Sequence, residues 1–136
     1  MKDILKKISE LQTKHNLALC TIVNTKGSTP RKIGAKMIVN ENGEIFGTIG
    51  GGELEKSVTK NAIEQIKDGN AKLFRHDLLH QHNMCCGGTV DVYIEPIMKK
   101  NKLYIFGAGH TGQSLAKYST DFDFEIVEVL ISPSNL

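Results

Sequence analysis

Three consecutive glycines, Gly50, Gly51 and Gly52, separate an apolar segment from one with helical periodicity. Glycine costs roughly 0.5–1 kcal/mol relative to alanine inside a regular element. Without a Cβ the backbone lets a ligand approach, and the unpaired N–H groups that open a helix can bind an anion. The run predicts a phosphate or pyrophosphate site, with a tight turn or close strand–helix packing as the alternative. Glu53 and Glu55 follow; they suit a helix N-terminus but would repel an anion.

A second segment with polar chemistry, GSTPRKIGAK, runs from Gly27 to Lys36. Arg31 can bind a phosphate through two hydrogen bonds, Ser28 can add a hydroxyl, and Lys36 is a further cation. The composition is equally typical of a surface loop whose Ser and Thr side chains cap a turn.

A cysteine pair precedes two more glycines, in the order Cys85, Cys86, Gly87, Gly88. A thiolate is a soft metal ligand, so Cys86 is a candidate for metal contact. Burial as a small apolar residue is the commoner fate of a free cysteine, and we expect it for Cys20. Three histidines could complete a zinc site with the pair, although their spacing matches no established zinc pattern: His76, His80 and His82.

A GxGxxG pattern formed by Gly107, Gly109 and Gly112 follows a short apolar strand and opens a helical stretch. This context predicts the first βαβ unit of a dinucleotide-binding fold, with NAD(P) or another nucleotide as ligand. The acid that would hold the ribose should fall near Leu130, and Glu128 is the nearest candidate. The remaining strands of such a sheet are absent from the sequence.

The periodicity along the rest of the chain predicts an α/β protein in two parts. Residues 1–98 are expected to form a mixed-sheet α+β domain, and residues 99–136 an incomplete Rossmann-like βαβ unit. A half-exposed strand is expected over 89–97, with Pro96 ending it near a sheet edge. The other elements are predicted as follows: helices over 2–15 and 53–67; strands over 17–24, 36–39, 45–49, 71–79, 103–106 and 124–131; and a type I′ turn at Asn42-Gly43.

Bulk properties exclude some classes of function. The net charge is +2 and no Lys/Arg run exceeds two residues, so nucleic acid is not expected as a partner. The Lys6-Lys7 and Lys99-Lys100 pairs are more typical of solvated faces than of a phosphate-binding stripe. No apolar run approaches the ~20 residues of a membrane span, and the charged N-terminus is not a signal peptide. A cytoplasmic protein without a membrane partner is expected.

Four motifs together resemble the XdhC/CoxI family, the accessory proteins of xanthine dehydrogenase and related molybdenum hydroxylases. They are GSTPRKIGAKM (27–37), GTIGGGELE (47–55), MCCGGTVDVYIEP (84–96) and FGAGHTG (106–112), in the family's order. The resemblance implies an N-terminal domain followed by a Rossmann-type domain. The family's nucleotide domain runs on further and its second strand ends in Asp. The chain is therefore identified as a C-terminally truncated member.

The resemblance implies a chaperone-like accessory factor rather than an enzyme. Such a factor binds molybdenum cofactor (molybdopterin), assists its sulfuration and inserts it into a xanthine dehydrogenase-type molybdenum hydroxylase. Its implied partners are that enzyme, a cysteine desulfurase and a second copy of the chain, with exchange of the C-terminal unit as one route to a homodimer. The family's cysteine falls on Cys86, and Glu55 could bind pterin N–H groups. The expected site comprises Ser28, Arg31, Lys36, Gly50, Gly51, Gly52, Glu55, Cys86 and Gly87.

Two alternatives from other classes remain open. A nucleotide-dependent oxidoreductase would use the GxGxxG unit, and it requires a complete sheet and a ribose-binding acid. An oligomerising interaction module would use the βαβ unit only to associate copies of the chain.

Overall fold

The computed structural model describes residues 2–79, 87–107, 109–122 and 124–129. The chain divides into two compact units, Met1–Lys99 and Lys100–Leu136. The described parts of the chain contain no helix that is long and apolar enough to cross a membrane.

The first unit contains two helices and five strands. In chain order they are α1 (Lys2–Leu11), β1 (Leu17–Lys26), β2 (Lys36–Asn40), β3 (Ile45–Gly47), α2 (Gly52–Asp68), β4 (Lys72–Asp77) and β5 (Thr89–Ile97). Gly69 ends α2 in the left-handed conformation, at φ 80°, and its amide donates to the Gln65 carbonyl. Glycine suits this position, because it adopts that conformation without a steric penalty.

The five strands form one sheet in the order β3-β2-β1-β5-β4, and every described pairing in it is antiparallel. The expected mixed sheet is therefore wrong for this unit. The cause is the path of α2, which carries the chain from β3 at one edge to β4 at the other. These two strands run in the same direction but are never neighbours, so no parallel pair forms.

Strand β5 lies inside the sheet, between β1 and β4, so its expected position near an edge is wrong. Pro96 is tolerated because β4 pairs with β5 only from Thr89 to Ile94. Pro96 lies past the end of β4 and faces only Ala18 of β1. The missing N–H of Pro96 therefore removes no hydrogen bond between β4 and β5.

The predicted alternation along β5 is confirmed by the burial of Val92 and Ile94 and the exposure of Tyr93 and Glu95. Asp91 departs from it, because its carboxylate is buried under an ion pair. Arg75 donates to it from Nε at 2.8 Å and from a terminal nitrogen at 3.0 Å. This pairing, assisted by Asn24 of β1, holds the pKa of Asp91 below its usual range.

The β2–β3 hairpin has a longer turn than the predicted type I′ turn. The Asn40 amide still donates to the Glu44 carbonyl, which leaves Glu41, Asn42 and Gly43 as the loop. The side-chain oxygen of Asn40 accepts hydrogen bonds from the backbone amides of Asn42 and Glu44 and so stabilises this wider turn. Gly43 supplies the positive φ, 83°, that such a loop requires.

The core lies between α2 and one face of the sheet. Helix α2 contributes Leu54, Val58, Ala62 and Ile66, spaced along one face as the sequence predicts. Each fully buried Leu, Ile or Val contributes roughly 1.5–3 kcal/mol. Cys20 is part of this core, as predicted, and burial raises the pKa of its thiol to about 12. That thiol is therefore a packing group and not a nucleophile.

The second unit contains β6 (Asn101–Phe106), α3 (His110–Ser119) and β7 (Phe124–Val129). Strands β6 and β7 are parallel, with α3 as the connection between them. A Cβ on Gly112 would lie 2.5 Å from the Gly107 carbonyl oxygen, so glycine lets α3 approach β6 closely. The unit is the βαβ arrangement that the glycine pattern predicts. The wider Rossmann-like sheet stays a prediction.

Candidate functional site

One loop brings together the motifs that sequence reasoning treated separately. We call residues 27–34 the arginine loop and residues 47–52 the glycine loop. The Pro30 ring fills the space beside Gly50, where a Cβ would lie 2.5 Å from the proline Cγ. At the other end of the arginine loop, the Gly88 amide donates to the Ser28 carbonyl at 3.0 Å. The arginine loop therefore contacts both glycine-containing motifs.

Gly88 is held tightly against the arginine loop. A Cβ at this position would overlap the carbonyl oxygens of Lys26 and Ser28. The Leu78 amide donates to the Gly88 carbonyl at 3.0 Å, which ties the same residue to the end of β4. Gly87 is exposed and has open space around its Cα. The predicted ligand Cys86 lies outside the described residues, as do His80 and His82.

The glycine loop is organised by Glu55 from the first turns of α2. Glu55 Oε1 accepts hydrogen bonds from the Thr48 hydroxyl, from the Ile49 amide at 3.2 Å and from the Gly51 amide at 2.8 Å. The Gly50 amide donates to the Thr48 hydroxyl oxygen at 3.2 Å. The prediction that the Gly50 and Gly51 amides are open to a ligand is therefore wrong. The Gly51 amide donates to the Glu55 carboxylate, and the Gly50 amide donates to the Thr48 hydroxyl oxygen.

The two carboxylates at the start of α2, those of Glu53 and Glu55, differ in role. Partial burial acts to raise the pKa of Glu55, but the hydrogen bonds from Thr48 and from the Gly51 and Ile49 amides outweigh it. The pKa of Glu55 therefore lies below its usual range. Glu53 is exposed and pairs with Lys56 one turn along the helix, at 3.0 Å. Such exposed pairs contribute little to stability.

We expect Glu55→Gln to lower the free energy of unfolding at neutral pH by roughly 1–2 kcal/mol, because charge-assisted hydrogen bonds are about twice as strong as neutral ones. A lowered pKa in the folded state means that this stabilisation is lost as pH falls below the ordinary glutamate value of about 4.3. Urea titrations across the acid range should therefore show a shallower pH dependence for Glu55→Gln. Glu53→Gln is the matched control and should follow the wild type. Equal behaviour of the two variants would contradict the structural role of Glu55.

A groove of about 750 Å³ opens beside the two loops, and we call it the basic groove. It is lined by Asp3, Ile4, Lys7, Arg31, Ala35, Lys36, Ile45, Phe46, Gly47 and Thr48. Arg31 and Lys36 were both predicted as site residues, and the structure brings them to this one surface. Thr48 lines the groove and also donates to Glu55, so the groove is continuous with the glycine loop.

Sequence reasoning missed Lys7 and Phe46. Lys7 was interpreted as part of a solvated face of α1, whereas its ammonium group lies 4.7 Å from the centroid of the Phe46 ring. The only signal in the sequence was the spacing of Ile4 and Lys7, which places both on one helix face. That spacing cannot show that Phe46 of β3 lies against this face of α1.

The remaining candidates concern metals and nucleotides. Across the described residues, no group of three or more His, Cys, Asp or Glu side chains is arranged to hold a metal ion. In the second unit, Gly107 and Gly109 lie between β6 and α3, with Gly109 as the N-cap. Glu128 lines a cleft of about 570 Å³ with Gln113 and Lys117. Leu130, where the ribose acid was expected, lies outside the described residues, and nucleotide binding stays a prediction.

The fold defines an α+β unit with a cluster of glycine-containing loops, followed in the chain by a βαβ unit. The model of the XdhC and CoxI family matches residues 11–77. This match includes two of the four motifs, residues 27–37 and 47–55, and confirms the resemblance of that part of the chain to the family.

Two curated relatives and one solved structure extend the comparison. The chain is 32% identical over 113 residues to the uncharacterized protein YqeB of Escherichia coli (strain K12), covering 80% of the chain and 21% of YqeB. It is 29% identical over 69 residues to the molybdenum cofactor insertion chaperone PaoD of the same organism, covering 51% of the chain and 22% of PaoD. The chain thus spans about a fifth of the length of these relatives.

The crystal structure of a xanthine dehydrogenase from Bacillus halodurans matches 98% of the chain and 63% of its own chain, with a TM-score of 0.63. The sequence identity is 18%, so this likeness shows a shared fold.

Proposed function

We propose that this chain is an accessory protein that binds molybdenum cofactor and assists its sulfuration and insertion into a xanthine dehydrogenase-type molybdenum hydroxylase. The family match and the likeness to the insertion chaperone PaoD support an accessory role. The single observation that carries the proposal is the contact of the arginine loop with both Gly50 and Gly88. A ligand held by Arg31 would therefore lie close to both glycine motifs.

The residues present fit a flat, phosphorylated metal-pterin. Gly51, Gly52 and Gly87 each have open space where a Cβ would lie, so a ligand can approach their backbone. Arg31 is exposed and would bind the phosphate, with Ser28 and Lys36 as further donors. Glu55 Oε1 is taken by the glycine loop, so pterin N–H groups would bind its second oxygen. The cofactor supplies the molybdenum centre that the hydroxylase uses.

Cys86 is proposed as the soft contact to the metal, since it directly precedes the open backbone of Gly87. The chain acts here as a chaperone-like factor and not as an enzyme. Its proposed partners are the hydroxylase, a cysteine desulfurase that provides the sulfur, and a second copy of the chain, in the cytoplasm. Exchange of the second unit between copies is one route to that homodimer.

Cofactor retention tests the proposal. The chain is co-expressed with the cofactor biosynthesis pathway, and molybdenum and oxidised pterin are measured per mole of purified protein. Arg31→Ala and Cys86→Ala should each reduce the molybdenum and pterin content. The first removes hydrogen bonds to a charged group, worth about 1.5–3 kcal/mol each, and the second removes the soft ligand to the metal. Lys32→Ala and Cys85→Ala are the neighbouring controls and should retain cofactor. Undiminished retention in both test variants would refute the proposed site.

A further inference from the structure

We propose that the basic groove is an anion-binding site that takes a phosphate or pyrophosphate group through its side chains and not through the amides of the glycine loop. The groove gathers cations from three parts of the chain: Lys7 of α1, Arg31 of the arginine loop and Lys36 of β2. Asp3 is the single carboxylate among its lining residues. Within the described ranges these three cations form no ion pair. Like charges gathered in this way repel one another, and a bound anion would relieve that repulsion.

Two of the three cationic side chains, those of Lys7 and Lys36, have contacts within the chain that position them. Lys7 lies over the Phe46 ring at 4.7 Å, a cation–π distance. Lys36 Nζ lies 3.4 Å from the Gly34 carbonyl oxygen. Both lysines are only partly exposed, so their side chains have lost part of their freedom already. A ligand that binds them incurs less of the entropic cost of ordering long side chains.

The floor of the groove is apolar, which points to more than a bare inorganic ion. The apolar lining residues include Ile4, Ile45 and Phe46, and we call these three the floor of the groove. A volume of about 750 Å³ falls in the range of small-molecule sites, roughly 300–1,000 Å³. The geometry points to a phosphate or pyrophosphate attached to an organic group that covers the apolar floor.

The glycine loop is the weaker anion site of the two. Its Ile49 and Gly51 amides already donate to Glu55, and the charge there is negative. Thr48 stands between the two places, with its hydroxyl directed to Glu55. An anion in the groove would therefore lie beside the loop cluster without competing with Glu55.

Two sources can supply this chemistry: the phosphorylated end of molybdenum cofactor, or a free nucleotide. Assignment to the cofactor rests on the proposed function, whereas the anion site itself does not. The anion site can therefore exist even if its ligand is not the cofactor, and the experiment tests the site and the ligand separately.

The test uses the full chain purified from cells that make no molybdenum cofactor, titrated with inorganic pyrophosphate and with ADP by calorimetry. We expect saturable binding that weakens as salt is added, since the cations are partly exposed. Lys7→Gln should weaken binding at least fivefold, and Lys7→Arg should largely restore it. Lys6→Gln removes the same charge from the adjacent position on α1 and should bind as the wild type does. Absence of binding, or equal behaviour of Lys6→Gln and Lys7→Gln, would overturn the anion site.

A second experiment distinguishes the cofactor from a free nucleotide as the ligand of the groove. Lys7→Gln is co-expressed with the cofactor pathway, and its molybdenum and pterin contents are compared with those of Lys6→Gln. Selective loss in Lys7→Gln supports the cofactor as ligand. Full retention together with weakened pyrophosphate binding overturns that assignment and supports a free nucleotide. Loss of cofactor in Cys86→Ala with pyrophosphate binding intact supports an anion site that does not depend on the proposed metal contact.

Discussion

Replacing Gly50 with alanine is expected to lower the free energy of unfolding by about 2–4 kcal/mol. Two effects add at this position. The backbone φ is 138°, a value that residues with a side chain rarely adopt. The new methyl group would also lie 2.5 Å from Pro30 Cγ, so either the proline ring or the glycine loop must move. Urea unfolding followed by circular dichroism measures the change.

The two effects at Gly50 can be separated. Gly51 has a φ of 82° but open space where a Cβ would lie, so Gly51→Ala should cost only the strain of its positive-φ backbone, roughly 1–3 kcal/mol. In a Pro30→Ala background the steric overlap is relieved, and Gly50→Ala should then cost about 1–2 kcal/mol less. If the changes in the free energy of unfolding simply add in the double variant, Pro30 does not press on Gly50. That result would contradict the contact between the two loops.

Gly88→Ala is expected to cost about 2–3 kcal/mol, because the added methyl group meets backbone atoms that cannot rotate away. The carbonyl groups of Lys26 and Ser28 stand on that side of Gly88. Displacing them would also break the hydrogen bond from the Gly88 amide to Ser28. The Leu78 amide, which donates to the Gly88 carbonyl, should then exchange with solvent faster in hydrogen-exchange measurements.

The adjacent glycine provides the matched control. Gly87 has no atom near the position of an added Cβ and no positive φ, so Gly87→Ala should stay within about 1 kcal/mol of the wild type. If Gly88→Ala proves as mild as Gly87→Ala, the close approach of this segment to the arginine loop is incorrect. The main structural support for one shared site would then be lost.

Both predictions concern the same structural idea. Glycine at positions 50 and 88 leaves room for the arginine loop, and glycine at 51 and 87 leaves room for a ligand. The sequence cannot separate the packing role of glycine from the proposed ligand approach, since the residue type is the same in both cases. Only the neighbours of each Cα distinguish packing from an open approach.

Local patterns allowed most elements to be predicted from the sequence. Apolar spacing places α1 and α2, the continuous apolar run places β1, and alternation places β5, because each signal depends on residues close in the chain. The hairpin was located correctly, but its turn type was wrong, since the Asn40 side chain stabilises a longer loop. The sheet order and the interior position of β5 could not be predicted, because they depend on pairings between distant segments.

In the candidate site, too, some features were predictable from the sequence and others depend on contacts between distant segments. Residue chemistry made Arg31, Lys36 and the glycines candidates, because guanidinium, ammonium and bare backbone are groups that bind anions. Sequence reasoning assigned Glu55 to the ligand, whereas the structure assigns one of its oxygens to the loop amides. Lys7 was missed because its neighbour Phe46 is distant in the chain.

The sequence by itself determined the types of element, the chemical groups available to a ligand and the resemblance to the XdhC/CoxI family, because these depend on residue identity and short spacing. The tertiary structure decided which of those groups meet: Pro30 with Gly50, Ser28 with Gly88, and Lys7 with Phe46. The physical reason is that an anion or cofactor site depends on distances of a few ångströms between atoms. Those distances are set by sheet register and by the path of α2 across the sheet.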